Sequence, residues 1–157
     1  MIEIEIPGRP LLRLSHLVLD VNGTLALDGR LLPGVAERLR SLGPQLDVHL
    51  ITADTFGAQD EIDRALGLKA VRLGAVASQT AAKADFVRSL GRERVVAIGN
   101  GANDAEMLSE ASLGIAIVGP EGAAVRAVAA ADVAVSDILV ALDLLLHTKR
   151  LVATLRV

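Results

Sequence analysis

The sequence predicts an α/β protein: a single doubly wound parallel sheet with helices on both faces. Two observations carry this expectation. Short continuous apolar runs, such as His16-Leu-Val-Leu-Asp20 and Val95-Val-Ala-Ile98, recur between turn residues, which is how strands buried on both faces read. The segments between those runs have helical spacing and short links, and strands alternating with helices build parallel sheets. The 157 residues show no internal repeat, linker or low-complexity stretch, so one domain over 1–157 is expected.

The elements follow in order. Residues 1–6 and about 11–15 alternate apolar with polar around Pro7-Gly8-Arg9-Pro10, which predicts an N-terminal β-hairpin or a pair of edge strands. His16–Asp20 is the first buried strand. Leu31–Leu42 has a proline near its start and Gly43-Pro44 as its stop, which predicts a helix. A strand over Val48–Thr52 leads to a helix from about Asp54 to Leu66, with Asp54 suited to the N-cap. A short strand near Val71–Leu73 and a helix from about Gln79 to Leu90 come next. The strand Val95–Ile98 ends in Gly99-Asn100-Gly101-Ala102-Asn103-Asp104. A helix near 104–111, a strand over Gly114–Val118, a helix from Glu121, a strand over Val133–Val135 and a last helix near Ile138–His147 complete the pattern.

Composition excludes several classes. No apolar run approaches the ~18–20 residues of a membrane span. The N-terminus lacks the basic start of a signal peptide, so a cytoplasmic protein is expected. Without cysteine there is neither a disulfide framework nor a thiolate metal site, and His16, His49 and His147 are scattered along the chain. The net charge of −3 and dispersed arginines give no basic stripe for nucleic acid. The aromatic residues are Phe56 and Phe86 alone, so the core must be aliphatic.

In a parallel sheet the carboxyl ends of the strands share one rim, where ligands bind. Polar residues collect at those ends: Asp20, Asn22 and Thr24; Thr52 and Asp54; Asn100, Asn103 and Asp104; with Lys83 near a helix start. This order, from about residue 16 to 150, resembles the four motifs of the haloacid dehalogenase (HAD) superfamily of phosphotransferases, which have a Rossmann-like fold. Asp20-Val-Asn22-Gly23-Thr24 is similar to its Asp-x-Asp-Gly-Thr. Thr52-Ala53-Asp54 and Gly99–Asp104 are similar to the Thr-Gly-Asp and Gly-Asp-Gly-x-Asn-Asp of P-type ion pumps, which suggests a soluble, capless P-type-ATPase-like branch. The resemblance implies that Asp20 is the nucleophile of an aspartyl phosphate, with Asn22, Thr52 and Lys83 as catalytic partners. Gly23, Thr24, Ala53 and Asn103 would bind the phosphate. Asp20, the main-chain carbonyl of Asn22, Asn100 and Asp104 would hold Mg2+.

Two letters depart from that pattern. Residues two apart in an extended segment point the same way, so Asn22 should face the site beside Asp20. Typical relatives have an aspartate there for proton transfer, and an amide cannot supply that step, which is worth about 10²–10⁴ in rate. Asn100 replaces a carboxylate that a hard cation prefers. Slow turnover and weak magnesium affinity are therefore expected. The alternative is a non-catalytic phosphate-binding or regulatory module on the same fold. Asn22-Gly23 also suits a plain turn, Asp54 a simple cap, and a receiver-type phosphorylation at Asp54 is a further option. Both asparagines precede glycine, the pairing most prone to deamidation. The segments between Asp20, Thr52 and Lys83 leave no room for a cap domain. Relatives without one either form oligomers or act on macromolecular phosphates. The expected partners are thus a small phosphorylated substrate or a phosphoprotein, with room for a homo-oligomer.

Overall fold

A computed structural model describes residues 1–53, 59–74 and 78–157. In chain order the strands are β1 (Ile2–Ile4), β2 (Leu12–Leu14), β3 (His16–Asp20), β4 (Ala26–Leu27), β5 (Arg30–Leu31), β6 (Asp47–Thr52), β7 (Val71–Arg72), β8 (Val95–Gly99), β9 (Leu113–Ile117) and β10 (Val133–Val135). The helices are α1 (Val35–Leu42), α2 (Gln59–Leu66), α3 (Gln79–Ser89), α4 (Ala105–Glu110), α5 (Val125–Ala130), α6 (Ile138–Leu146) and α7 (Thr148–Leu155).

Six strands form the parallel sheet in the order β10-β9-β8-β3-β6-β7. Strand β3 lies between β8 and β6, with Leu19 opposite Ile98 on one side and Leu50 on the other. Alternation along β3 explains why Leu17, Val18 and Leu19 are all apolar. Leu17 and Leu19 face a core shared with Val35, Leu39 and Leu42 of α1 and with α6 and α7. Val18 points to the opposite face, against Val87 of α3, Met107 and Leu108 of α4 and Ala127 of α5. Both faces are covered, as the continuous apolar runs require.

The N-terminal segment is a hairpin: β1 and β2 pair antiparallel, Ile2 opposite Leu14, as a sheet of their own. Residues 21–46, between β3 and β6, hold only the site loop, the small β4–β5 hairpin and α1. That hairpin is absent from the expected pattern, although Asp28-Gly29 signals it. Both residues have positive φ, 51° and 74°, which is what a tight type I′ connection demands. The helix expected from Glu121 starts later, at Val125. Gly119-Pro120-Glu121-Gly122 instead closes a tight turn, Gly122 donating its amide to the Gly119 carbonyl at 2.8 Å with φ 74°. Helix α7 extends the chain beyond the last helix expected. Residues 54–58, with Asp54 among them, lie outside the described residues. Helix α6 buries Ile138, Ala141, Leu142, Leu144 and Leu145, and Asp143 takes a two-pronged ion pair from Arg38 of α1 at 2.7 and 3.1 Å.

The histidines need one correction. His16 and His49, distant in sequence, meet with Nδ1 and Nε2 3.2 Å apart, because β3 and β6 are neighbours in the sheet. They sit near the amino end of β3, away from Asp20. No helix among the described residues is long and apolar enough to cross a membrane.

Candidate active site

Asp20 closes β3 at the rim, and burial leaves it only 6% exposed. Ser78 caps α3 by accepting the Ala81 amide, which starts the helix so that Lys83, one turn in, reaches beneath the rim. Lys83 is 0% exposed and donates to Asp20 Oδ1 and Asp104 Oδ1, each at 2.6 Å. Asp104 is fixed in turn. Its Oδ2 accepts the amides of Asn100 and Gly101 at 3.0 and 2.8 Å. This fold-back leaves no space at Gly99, where a Cβ would lie 2.5 Å from Asp104 Oδ2.

Two buried carboxylates share one buried ammonium, so the triad keeps an excess negative charge. Burial, and then the charge of Asp104, push the Asp20 carboxyl up to about 7 although Lys83 opposes them. For Lys83, burial works against the ammonium, but the two carboxylates outweigh it and hold its pKa above the usual lysine range. A site with this imbalance favours a cation.

Around the free side of Asp20, Thr24 Oγ1 donates to Asp20 Oδ2 at 3.3 Å and lies 3.4 Å from Asn100 Oδ1. Asn100 Nδ2 donates to the carbonyl of Gly122 at 3.3 Å. Gly23 is needed here twice over. Its φ is 79°, and a Cβ would collide with Glu121 Oε2 and sit 2.7 Å from Asn100 Nδ2. On the other side, Asn22 Nδ2 donates to Thr52 Oγ1 at 3.4 Å, with Ala53 following Thr52 at the end of β6. Asn22 is exposed at the mouth, next to Thr52.

The structure therefore brings Asp20, Thr24, Lys83, Asn100 and Asp104 together, with Asn22 and Thr52 at one edge. Asn103 stands aside, donating to Gln79 Oε1 of α3 at 3.3 Å. The amides of Gly23 and Thr24 donate to the carbonyls of Ala26 and Val21, at 2.8 and 3.2 Å. Asp54 lies outside the described residues. Glu121 was not singled out in the sequence, where it read as a helix start. Its signal was the Gly-Pro-Glu-Gly turn directly after an apolar strand, a rim position like the others.

The donor set suits a hard divalent cation. Among the described residues no three His, Asp or Glu side chains converge closely enough to hold one ion between them. A cation would therefore draw on the Asp20 carboxylate with the neutral oxygens of Asn22 and Asn100, a mixed set that oxygen-loving cations accept. The excess negative charge of the triad points the same way.

The site thus couples a buried strand-end aspartate to a helix lysine on a doubly wound sheet. Residues 76–136 match a family model described as haloacid dehalogenase-like hydrolase. The chain is 43% identical over 83 residues to an uncharacterised protein of Methanocaldococcus jannaschii, half of this chain and 89% of that one. Over residues 76–136 the chain is thus similar to haloacid dehalogenase-like hydrolases. Among solved structures it is similar to the cobalt-bound deoxy-D-mannose-octulosonate 8-phosphate phosphatase of Haemophilus influenzae, with a TM-score of 0.71 and 16% identity over 88% of this chain and 90% of that one. It is also similar to the 3-deoxy-D-manno-octulosonate 8-phosphate phosphatase of Moraxella catarrhalis, solved with magnesium, phosphate and KDO. There the TM-score is 0.68 and the identity 18%, over 92% and 95% of the two chains. These likenesses establish the doubly wound fold.

Proposed function

We propose that the chain is a magnesium-dependent phosphohydrolase or phosphotransferase that works through an aspartyl phosphate on Asp20. The observation that carries this reading is the fully buried Lys83, 2.6 Å from both Asp20 and Asp104 at the rim. An ammonium so placed orients the attacking carboxylate and meets the charge of an incoming phosphoryl group. The carboxylate oxygen of Asp20 attacks phosphorus, the bond from phosphorus to the leaving oxygen breaks, and the leaving oxygen takes a proton. Water then cleaves the acyl phosphate, releasing inorganic phosphate, restoring Asp20 and giving up a proton. Asn22 stands where relatives carry the proton-transfer acid, so both protons must exchange with solvent and turnover is slow. Thr52 and Thr24 are hydroxyl donors at either edge of Asp20. Asp104 acts by holding Lys83 and the 100–101 turn.

Magnesium would be held by Asp20, the carbonyl of Asn22 and Asn100, with Asp104 behind them. When bound, it supplies charge neutralisation for the phosphoryl oxygens. The motifs at Thr52–Asp54 and Gly99–Asp104 support a place in the soluble P-type-ATPase-like branch. The phosphatases similar in fold support a phosphorylated small molecule as substrate. The short segment between β3 and β6 leaves the mouth open enough for a phosphoprotein too.

A second reading, a phosphate-binding or regulatory module without turnover, is favoured by Asn22 and Asn100 together. One experiment separates them: mass spectrometry of the protein after incubation with acetyl phosphate and Mg2+, with Asp20→Ala as control. A phosphoryl increment on Asp20 that the control lacks is expected. Folded wild-type protein that gains no increment would refute the enzymatic reading and leave the module.

A further inference from the structure

We propose that Glu121 is a cation-binding residue of this site, supplying from the turn after β9 the carboxylate that Asn100 lacks. The proposal rests on the phosphotransferase reading and adds a ligand to it. Three observations lead there.

The first is position. A Cβ on Gly23 would meet both Glu121 Oε2 and Asn100 Nδ2, so the Glu121 carboxylate lies over the loop that follows Asp20, beside Asn100. Asn22 and Thr52 occupy the opposite edge, toward β6. Glu121 is thus on the side of Asn100 and not on the side where a proton-transfer group would replace Asn22.

The second is that Asn100 itself holds the turn that carries Glu121. The Asn100 side-chain amide donates to the Gly122 carbonyl at 3.3 Å, and the Asn100 carbonyl accepts the Ala124 amide at 2.9 Å. The turn is further closed by Gly122 donating to Gly119, with Pro120 fixing its second position. An aspartate at 100 could not donate to Gly122. The amide that costs the site a charge therefore also anchors a charge in its place.

The third is electrostatic. The Glu121 carboxylate has no hydrogen bond or ion pair with any described residue. The triad beneath it already carries excess negative charge. Glu121 is exposed at the rim, so its carboxylate is free to turn toward a cation held at Asp20, and hard cations take carboxylate oxygen by preference.

The test is a Mn2+ titration followed by electron paramagnetic resonance, which reads binding without turnover. Wild type, Glu121→Gln, Asp20→Ala and the pair Glu121→Gln with Asn100→Asp would be compared, with circular dichroism confirming each fold. Glu121→Gln is expected to weaken Mn2+ binding by on the order of tenfold or more. Asn100→Asp in that background is expected to recover it, because the carboxylate returns to the neighbouring position. Unchanged affinity in Glu121→Gln, or no recovery in the pair, overturns the proposal. If Glu121→Gln binds normally while Asp20→Ala does not, the cation site stands and only the role of Glu121 falls. If wild type binds no Mn2+, the magnesium-dependent reading falls with it.

Discussion

Replacing Lys83 with methionine removes the ammonium and keeps most of the volume. Lys83 touches Asp20 and Asp104 at 2.6 Å each. At an effective dielectric of about 20, each contact is worth ~6 kcal/mol before desolvation, and desolvating the lysine cancels much of the sum. Breaking a buried pair costs about 3–5 kcal/mol net, because a charge is left uncompensated. The lower end applies here. The Asp20 carboxyl already stands at about 7, so at neutral pH it takes up a proton with little further cost. A loss of about 3 kcal/mol lowers Tm by about 6–12 °C in a chain of this size. The pH dependence has a definite sign. The folded variant binds a proton that the folded wild type releases, so the variant loses stability relative to wild type as pH rises, by up to ~1.4 kcal/mol per pH unit. Urea and thermal unfolding of both proteins from pH 6 to 9, in buffer without divalent cations, would measure this. A variant as stable as wild type at pH 8, or a gap that shrinks as pH rises, would refute the charge balance described for the triad.

Three further predictions follow from single contacts. Asn22→Asp restores a proton-transfer group at the mouth and is expected to speed loss of the phosphoryl group from Asp20 by on the order of 10², measured as phosphoenzyme decay. An unchanged decay rate would show that Asn22 does not limit turnover. His49 is held below its usual 6.5, by burial first and then by the nearby His16. Its folded pKa lies under the unfolded one, so its contribution is present above pH 6.5 and is lost as pH falls below that value. Urea midpoints should show His49→Phe gaining on wild type between pH 7.5 and pH 5, and the reverse trend would sink the assignment. The amides that would attack Asn22 and Asn100 in deamidation, those of Gly23 and Gly101, donate to Ala26 and Asp104 at 2.8 Å each. Both sites should keep their masses in folded protein aged at pH 7.4 and change only in urea. Conversion at the same rate in both states would mean the loops are not held as described.

The rim residues were legible because a buried parallel strand leaves a plain trace: an unbroken apolar run that stops at a polar group. Asp20 and Asn100 each follow such a run, Thr52 follows one interrupted by His49, and the order of the strands is the order of the site. What sequence could not weigh was competition between readings of the same letters. Asp28-Gly29 was overshadowed by the apolar residues around it, although the positive φ of both residues makes a hairpin. Glu121 was expected to open a helix, yet Pro120 and Gly122 make the segment a turn instead. His16 and His49 needed the strand register to become neighbours. That Asp104 meets Lys83 and the amides of Asn100 and Gly101 is a matter of distance alone.

The placement of β3 has a consequence for how the chain is made. Its neighbours in the sheet come from later segments, β6 at Asp47–Thr52 and β8 at Val95–Gly99. During synthesis the strand bearing Asp20 emerges well before β8, and its β8 side stays an open edge until Val95–Gly99 has been made. An unpaired edge with an apolar centre is a template for pairing with other chains. Contacts this distant in sequence also form slowly. A nascent or truncated chain ending before Val95 is thus the form of this protein most exposed to aggregation, and the buried lysine with its two carboxylates can assemble only once that hazard has passed.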